Sequence, residues 1–125
     1  MEDWKVISAY SRAQAIADGV LVDATVLAKE TGFRFPVAVT AGVWSKCITV
    51  PEGVEGQDER GRLWDLLTML RHAFPNSVDD RVDFGLHVRN EYAEFVSMPL
   101  ERLYALCGPG DDAEPVITVM LKGED

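Results

Sequence analysis

Apolar residues at positions 63, 66, 67, 70 and 74 recur with the spacing of an α-helix, and they make Gln57 to Phe74 the clearest element of the chain. Trp64 and Met69 are expected to widen that stripe. Asp58 and Glu59 fall in the first turn and Arg71 and His72 in the last, the charge order a helix dipole favours. Pro75-Asn76-Ser77 then stops the helix. The pattern predicts about four to five turns covering a large apolar surface.

The period changes after Asp80. Val82, Phe84, Leu86 and Val88 alternate with Asp83, Gly85, His87 and Arg89, which predicts a half-buried strand. Tyr92 to Met98 is a weaker strand ended by Pro99. Arg102 to Cys107 is another. Pro115 to Leu121, PVITVML, is the most β-prone run of the chain and is expected at the centre of the sheet. Ahead of the long helix the elements are short. Residues 4–10 are a strand or an ordered arm. Ser11 caps a helix from Arg12 to Ala17, which Asp18-Gly19 ends. Val20-Leu21-Val22 is a brief apolar step. Asp23 caps a helix from Ala24 to Glu30, with Val26 and Leu27 facing inward. Val37-Ala38-Val39 reads as a strand, and Pro36 marks its start or a sheet edge. Thr40 caps a helix from Ala41 to Cys47 that sets Val43, Trp44 and Cys47 on one side.

Helices therefore dominate the first 75 residues and strands the last 45. This segregation predicts one α+β domain covering residues 1–125. A three- to four-stranded antiparallel sheet, formed mainly by the C-terminal half, packs against the helix at 57–74, with short helices in the N-terminal half.

Charge adds a second asymmetry. Residues 1–51 carry five acids and five bases, whereas residues 52–125 carry sixteen acids and seven bases, which is the whole net charge of −9. Such a surface disfavours direct contact with nucleic acid phosphates and favours basic partners, including proteins that themselves bind nucleic acid. Acidity for solubility alone is the plainer reading. No apolar run is long enough for a membrane span. The first residues lack the apolar centre of a secretory signal. Cys47 and Cys107 read as two reduced thiols, and the expected location is the cytoplasm.

Little of the chain reads as catalytic chemistry. His72 and His87 have no metal-ligand spacing with each other or with the cysteines, so neither a metal nor another cofactor is implied. His72 reads as a charge at a helix end, and His87 as an exposed position on its strand. Cys107 with His87 could form a nucleophile pair, although a cysteine after Tyr104-Ala105-Leu106 reads equally as core. The loop from Cys107 to Pro115, CGPGDDAEP, puts Asp111, Asp112 and Glu114 within four positions. It reads as a solvated hairpin turn, a divalent-cation loop or an acidic finger for a basic surface. Glu52-Gly53-Val54-Glu55-Gly56 lacks a phosphate-binding lysine and is itself acidic. Trp4, Trp44 and Trp64 read as core or interface anchors, since no basic groove accompanies them.

Three phrases carry a resemblance: Tyr10 to Asp23, Val50 to Leu67, and Cys107 to Met120. Together they resemble a family of small, uncharacterised bacterial proteins, a domain of unknown function often found on plasmids, phages and other mobile elements. The resemblance brings no activity and no catalytic residues. It implies a setting, mobile DNA facing host defences, in which small acidic proteins act as inhibitors of nucleases, restriction enzymes or CRISPR complexes. The expected function is thus non-enzymatic binding of a basic, nucleic-acid-binding host protein, by nucleic-acid mimicry. The expected contacts are Asp79, Asp80, Asp83, Glu91, Glu94, Asp111, Asp112 and Glu114. The alternatives are a small enzyme with a carboxylate-rich site near the CGPGDD loop, using Asp111, Asp112, Cys107, His87 and Arg89, or a regulatory homodimer joined through Trp44 or Tyr92. Direct nucleic acid binding and membrane binding are not expected.

Overall fold

The computed structural model describes residues 10–88 and 100–124. Helix α1 (Arg12–Ala17) is capped by Ser11, whose Oγ accepts the Gln14 N–H at 3.0 Å. Strand β1 (Leu21–Asp23), helix α2 (Thr25–Glu30) and strand β2 (Val37–Thr40) follow. Thr40 caps helix α3 (Ala41–Val43), which continues as a π-helical turn over Trp44–Ile48. Helix α4 (Glu59–Ala73) is the long helix of the pattern, capped by the Asp58 carboxylate on the Gly61 N–H at 2.6 Å. Phe74–Asn76 make one 3₁₀ turn. Strands β3 (Arg81–His87), β4 (Leu100–Pro109) and β5 (Pro115–Leu121) complete the fold.

The strands form one five-stranded sheet in the order β1-β2-β5-β4-β3. It is mostly antiparallel, but β2 runs parallel to β5, with Val37 opposite Ile117 and Val39 opposite Val119. The sheet therefore has more strands than the three or four expected, and the N-terminal half supplies two of them. The apolar step at residues 20–22 is part of the reason. Leu21–Asp23 is too short to display a period of two, yet it pairs antiparallel with β2. The run from Pro115 to Leu121 does take the central position, flanked by β2 and β4. The weak strand expected at Tyr92 to Met98 and the segment at residues 4–9 lie outside the described residues.

α4 lies across one sheet face. Leu63, Leu66, Leu67 and Leu70 are buried against Val37, Val39, Ile117, Val119, Leu103, Val82 and Leu86. Trp64 and Met69 do not widen this stripe: they are 41% and 43% exposed. At 100° per residue each lies roughly a quarter to a third of a turn or more from the centre of the leucine stripe. Arg62 is buried instead, because its guanidinium reaches the Gln57 side chain at 2.7 Å and the Thr49 carbonyl at 2.9 Å. In α2, Leu27 and Ala28 face the core, but Val26 is 79% exposed, contrary to the pattern reading. A helix of six residues has room for only a narrow buried face. Asp23 serves the start of α2 from one position earlier than a standard cap. Its Oδ1 accepts the Thr25 N–H and hydroxyl at 3.0 and 2.5 Å. Thr31, with Gly32 at φ +105°, ends the helix.

Candidate functional site

The acidic residues singled out in the sequence come from two segments about thirty positions apart, and the sheet brings most of them to one end. Val78 and Arg81 form a tight bridge with Asp79 and Asp80 at its tip, and Asp79 sits in the left-handed region at φ 55°. The Asp80 carbonyl accepts the Cys107 N–H at 2.8 Å, which seats this turn beside the end of β4. Four residues later comes Asp111, within about 14 Å of chain. Asp79, Asp80, Asp111, Asp112 and Glu114 thus share one end of the sheet. Asp83 lies further along β3, opposite Tyr104. Glu91, Glu94 and Arg89 lie outside the described residues.

These carboxylates are not equivalent. Asp111 accepts the backbone N–H groups of Arg12 and Ala13 at 2.7 and 3.0 Å, so it caps the first turn of α1 from across the chain. Those two N–H groups hold its carboxyl below the usual carboxylate range. Arg12 completes the clip, donating to the Thr118 hydroxyl at 2.6 Å and the Ile117 carbonyl at 2.7 Å on β5. Glu114 folds back over Gly110 and accepts the Asp112 N–H at 3.1 Å. Asp83 pairs with Arg81 at 3.0 Å, and the Arg81 hydrogen bond lowers its pKa. The Arg81 guanidinium also stacks over the Tyr104 ring, 4.0 Å from its centroid. Asp79, Asp80 and Asp112 have no ion-pair partner among the described residues.

The Cys107–His87 pair is not assembled. Register places Leu106 opposite Arg81 and Leu100 opposite His87, so the two residues sit at opposite ends of the β3–β4 ladder. At about 3.3 Å per residue, some 20 Å separates them. Sequence proximity of the two strands suggested a pairing that antiparallel register does not allow. Among the described residues no group of three His, Cys, Asp or Glu side chains is arranged to hold a metal ion.

Clefts lie at both ends of α4. One, of about 500 Å³, lies at its N-terminal end and is lined by Cys47, Gln57, Asp58, Arg62, Trp64 and His87. Cys47 is 1% exposed, and burial pushes its thiol up to about 11. The other, of about 550 Å³, lies at the C-terminal end, between the α2–β2 loop and the 3₁₀ turn. Arg34, Phe35, Arg71, Phe74 and Cys107 line it. Sequence reasoning missed this second cleft. Its residues come from four distant segments, and no local pattern links them.

The whole chain, residues 1–125, matches the model of a family of unknown function (DUF6573), and it belongs to that family. No curated protein and no solved structure matches it. No helix of the described residues is long and apolar enough to cross a membrane.

Proposed function

We propose that this member of a family without an assigned function is a non-enzymatic binding protein. It acts through its acidic sheet end on the basic, nucleic-acid-binding surface of a host defence protein, such as a CRISPR complex, a restriction enzyme or a nuclease. Nucleic-acid mimicry is the mode of inhibition, and the setting is a mobile element in the bacterial cytoplasm. The observation that carries the reading is the convergence of Asp79 and Asp80 with the Asp111–Glu114 turn, two segments joined by the Cys107–Asp80 hydrogen bond. Within that end no carboxylate forms an ion pair among the described residues, but Asp111 and Glu114 accept backbone N–H groups, which leaves Asp79, Asp80 and Asp112 as the uncommitted ones. They can meet a cationic surface without first breaking an intramolecular pair. Asp111 supports the end by fixing α1, and Asp83 is already neutralised by Arg81.

The test is capture of the host partner by the tagged protein at low salt, followed by elution with added DNA. Wild type should retain one nucleic-acid-binding protein that DNA or high salt displaces. The triple variant Asp79→Asn, Asp80→Asn, Asp112→Asn should retain at least tenfold less, about 1.4 kcal/mol of lost binding. Retention by the triple variant equal to wild type would end the acidic-end reading.

A further inference from the structure

We infer that the cleft at the C-terminal end of α4 is a binding site for a small aromatic carboxylate. This inference does not rest on the acidic-end reading. It uses different residues and a ligand of the opposite charge preference.

In a chain of net charge −9, the cleft is lined by two arginines, Arg34 and Arg71, and by no Asp or Glu among the described residues. The rest of its lining is largely apolar, with Phe33, Phe35, Phe74, Pro75 and Ile117. Apolar walls with a few convergent polar groups are what a site for a small organic ligand requires, and about 550 Å³ suits one or two fused rings. Two guanidiniums specify the polar end, because the guanidinium fork matches a carboxylate. The aromatic walls specify the body. Phe33 and Phe74 already meet edge to face at 5.5 Å, and Phe35, 41% exposed, offers a further ring at the mouth.

Arg71 is held before any ligand arrives. Its Nη1 donates to the Thr31 carbonyl at 2.5 Å. Its guanidinium lies against Gly32, where a Cβ would stand 2.6 Å from Nη1 and 2.7 Å from Cζ. Only glycine leaves that space, at a φ that other residues rarely adopt. The Thr31 contact uses one of five N–H donors, so capacity remains for a ligand oxygen. Arg34 forms no ion pair among the described residues. Part of the ordering cost of binding an anion is therefore already met at Arg71, while Arg34 supplies the second charge.

Cys107 lines the same cleft half-buried, whereas Cys47 is 1% exposed, so the folded protein carries its own reporter. In exchange with an aryl disulfide, the Cys107 thiolate attacks one sulfur. The reagent's S–S bond breaks as the protein–reagent S–S bond forms, and the other aryl half leaves as its thiolate. Two reagents separate charge from access: bis(nitrobenzoate) disulfide, whose rings carry carboxylates, and uncharged dithiodipyridine. Arg34→Ala should slow the carboxylate reagent about tenfold relative to wild type and change dithiodipyridine less than about twofold, the tenfold step being about 1.4 kcal/mol. Naphthoate should protect Cys107 from dithiodipyridine, naphthamide should not, and Phe35→Ala should weaken the naphthoate protection.

An Arg34→Ala variant that slows both reagents equally, or neither, would overturn the site. Equal protection by naphthoate and naphthamide would reduce it to an apolar hole. Equal protection by sulfate would reduce it to an unspecific anion contact. Both substitutions change exposed side chains, and retention of the wild-type circular dichroism spectrum separates loss of the site from loss of the fold.

Discussion

Cys47 makes the buried side of the π-helical turn a source of alkaline instability. Its thiol is shut under α4, and burial, seconded by the Glu101 carboxylate, raises its pKa from an ordinary 9.0 to about 11. Below pH 9 the thiol is protonated in the folded and unfolded chains alike and contributes no pH dependence. Above pH 9 the unfolded chain gives up this proton while the folded chain holds it, so the unfolded state is favoured progressively. The loss levels off near pH 11, where the folded thiol also ionises. A separation of two pKa units corresponds to roughly 2.7 kcal/mol in full, of which about 1–2 kcal/mol is lost by pH 10.5. Lysines and tyrosines titrate in the same range, so the comparison must be with Cys47→Ala. Urea unfolding followed by tryptophan fluorescence at pH 8 and at pH 10.5 gives the four stabilities needed. The alanine variant should start less stable because of its small cavity, and should lose about 1–2 kcal/mol less than wild type over that range. Parallel losses in the two proteins would refute the assignment of alkaline sensitivity to this thiol.

Three further outcomes follow from the packing. Leu67→Ala, at a side chain with 0% exposure, should cost about 2–5 kcal/mol and lower the melting temperature by roughly 10 °C, whereas Trp64→Ala on the open side of α4 should cost no more than about 0.5 kcal/mol; calorimetry compares them. Asp111→Asn should weaken the hold on α1, so that hydrogen exchange quickens at the Arg12 and Ala13 amides while α4 amides stay protected; unchanged exchange at Arg12 and Ala13 would show that the cap is not holding α1. Gly32→Ala should destabilise by at least about 1 kcal/mol from its positive φ, and by less in an Arg71→Ala background, where no guanidinium has to move; a double-mutant cycle by urea unfolding reads the difference.

The legible parts of this chain are those whose information is local. α4 announced itself because a leucine stripe, an aspartate cap and a proline stop all fall within twenty residues. β3 was readable because one of its faces meets the core, which forces alternation. β1 and the pairing of β2 with β5 were not readable. Three residues cannot show a period, and parallel partners eighty positions apart leave no mark on either sequence. The burial of Arg62 escaped for a related reason: a long side chain finds its acceptors, Gln57 and the Thr49 carbonyl, outside its own helix. The acidic residues were visible as two clusters, but nothing local told that Asp111 would be taken up as a cap for α1 while Asp79 and Asp80 would not. The arginine-lined cleft needed the fold itself, since Arg34, Arg71 and Cys107 meet only when β5 has joined β2 to β4.

That joining has a consequence for a truncated chain. Because β5 sits between β2 and β4, the pair β1–β2 and the pair β3–β4 have no hydrogen-bonded connection until residues 115–121 arrive. A chain cut before Pro115 presents two separate ribbons, each with an unpaired inner edge, and leaves the leucines of α4 without part of their floor. Such a chain is open to association with other chains. β5 closes both of these edges at once, so a chain cut just before Pro115 should yield far less folded protein than residues 1–125.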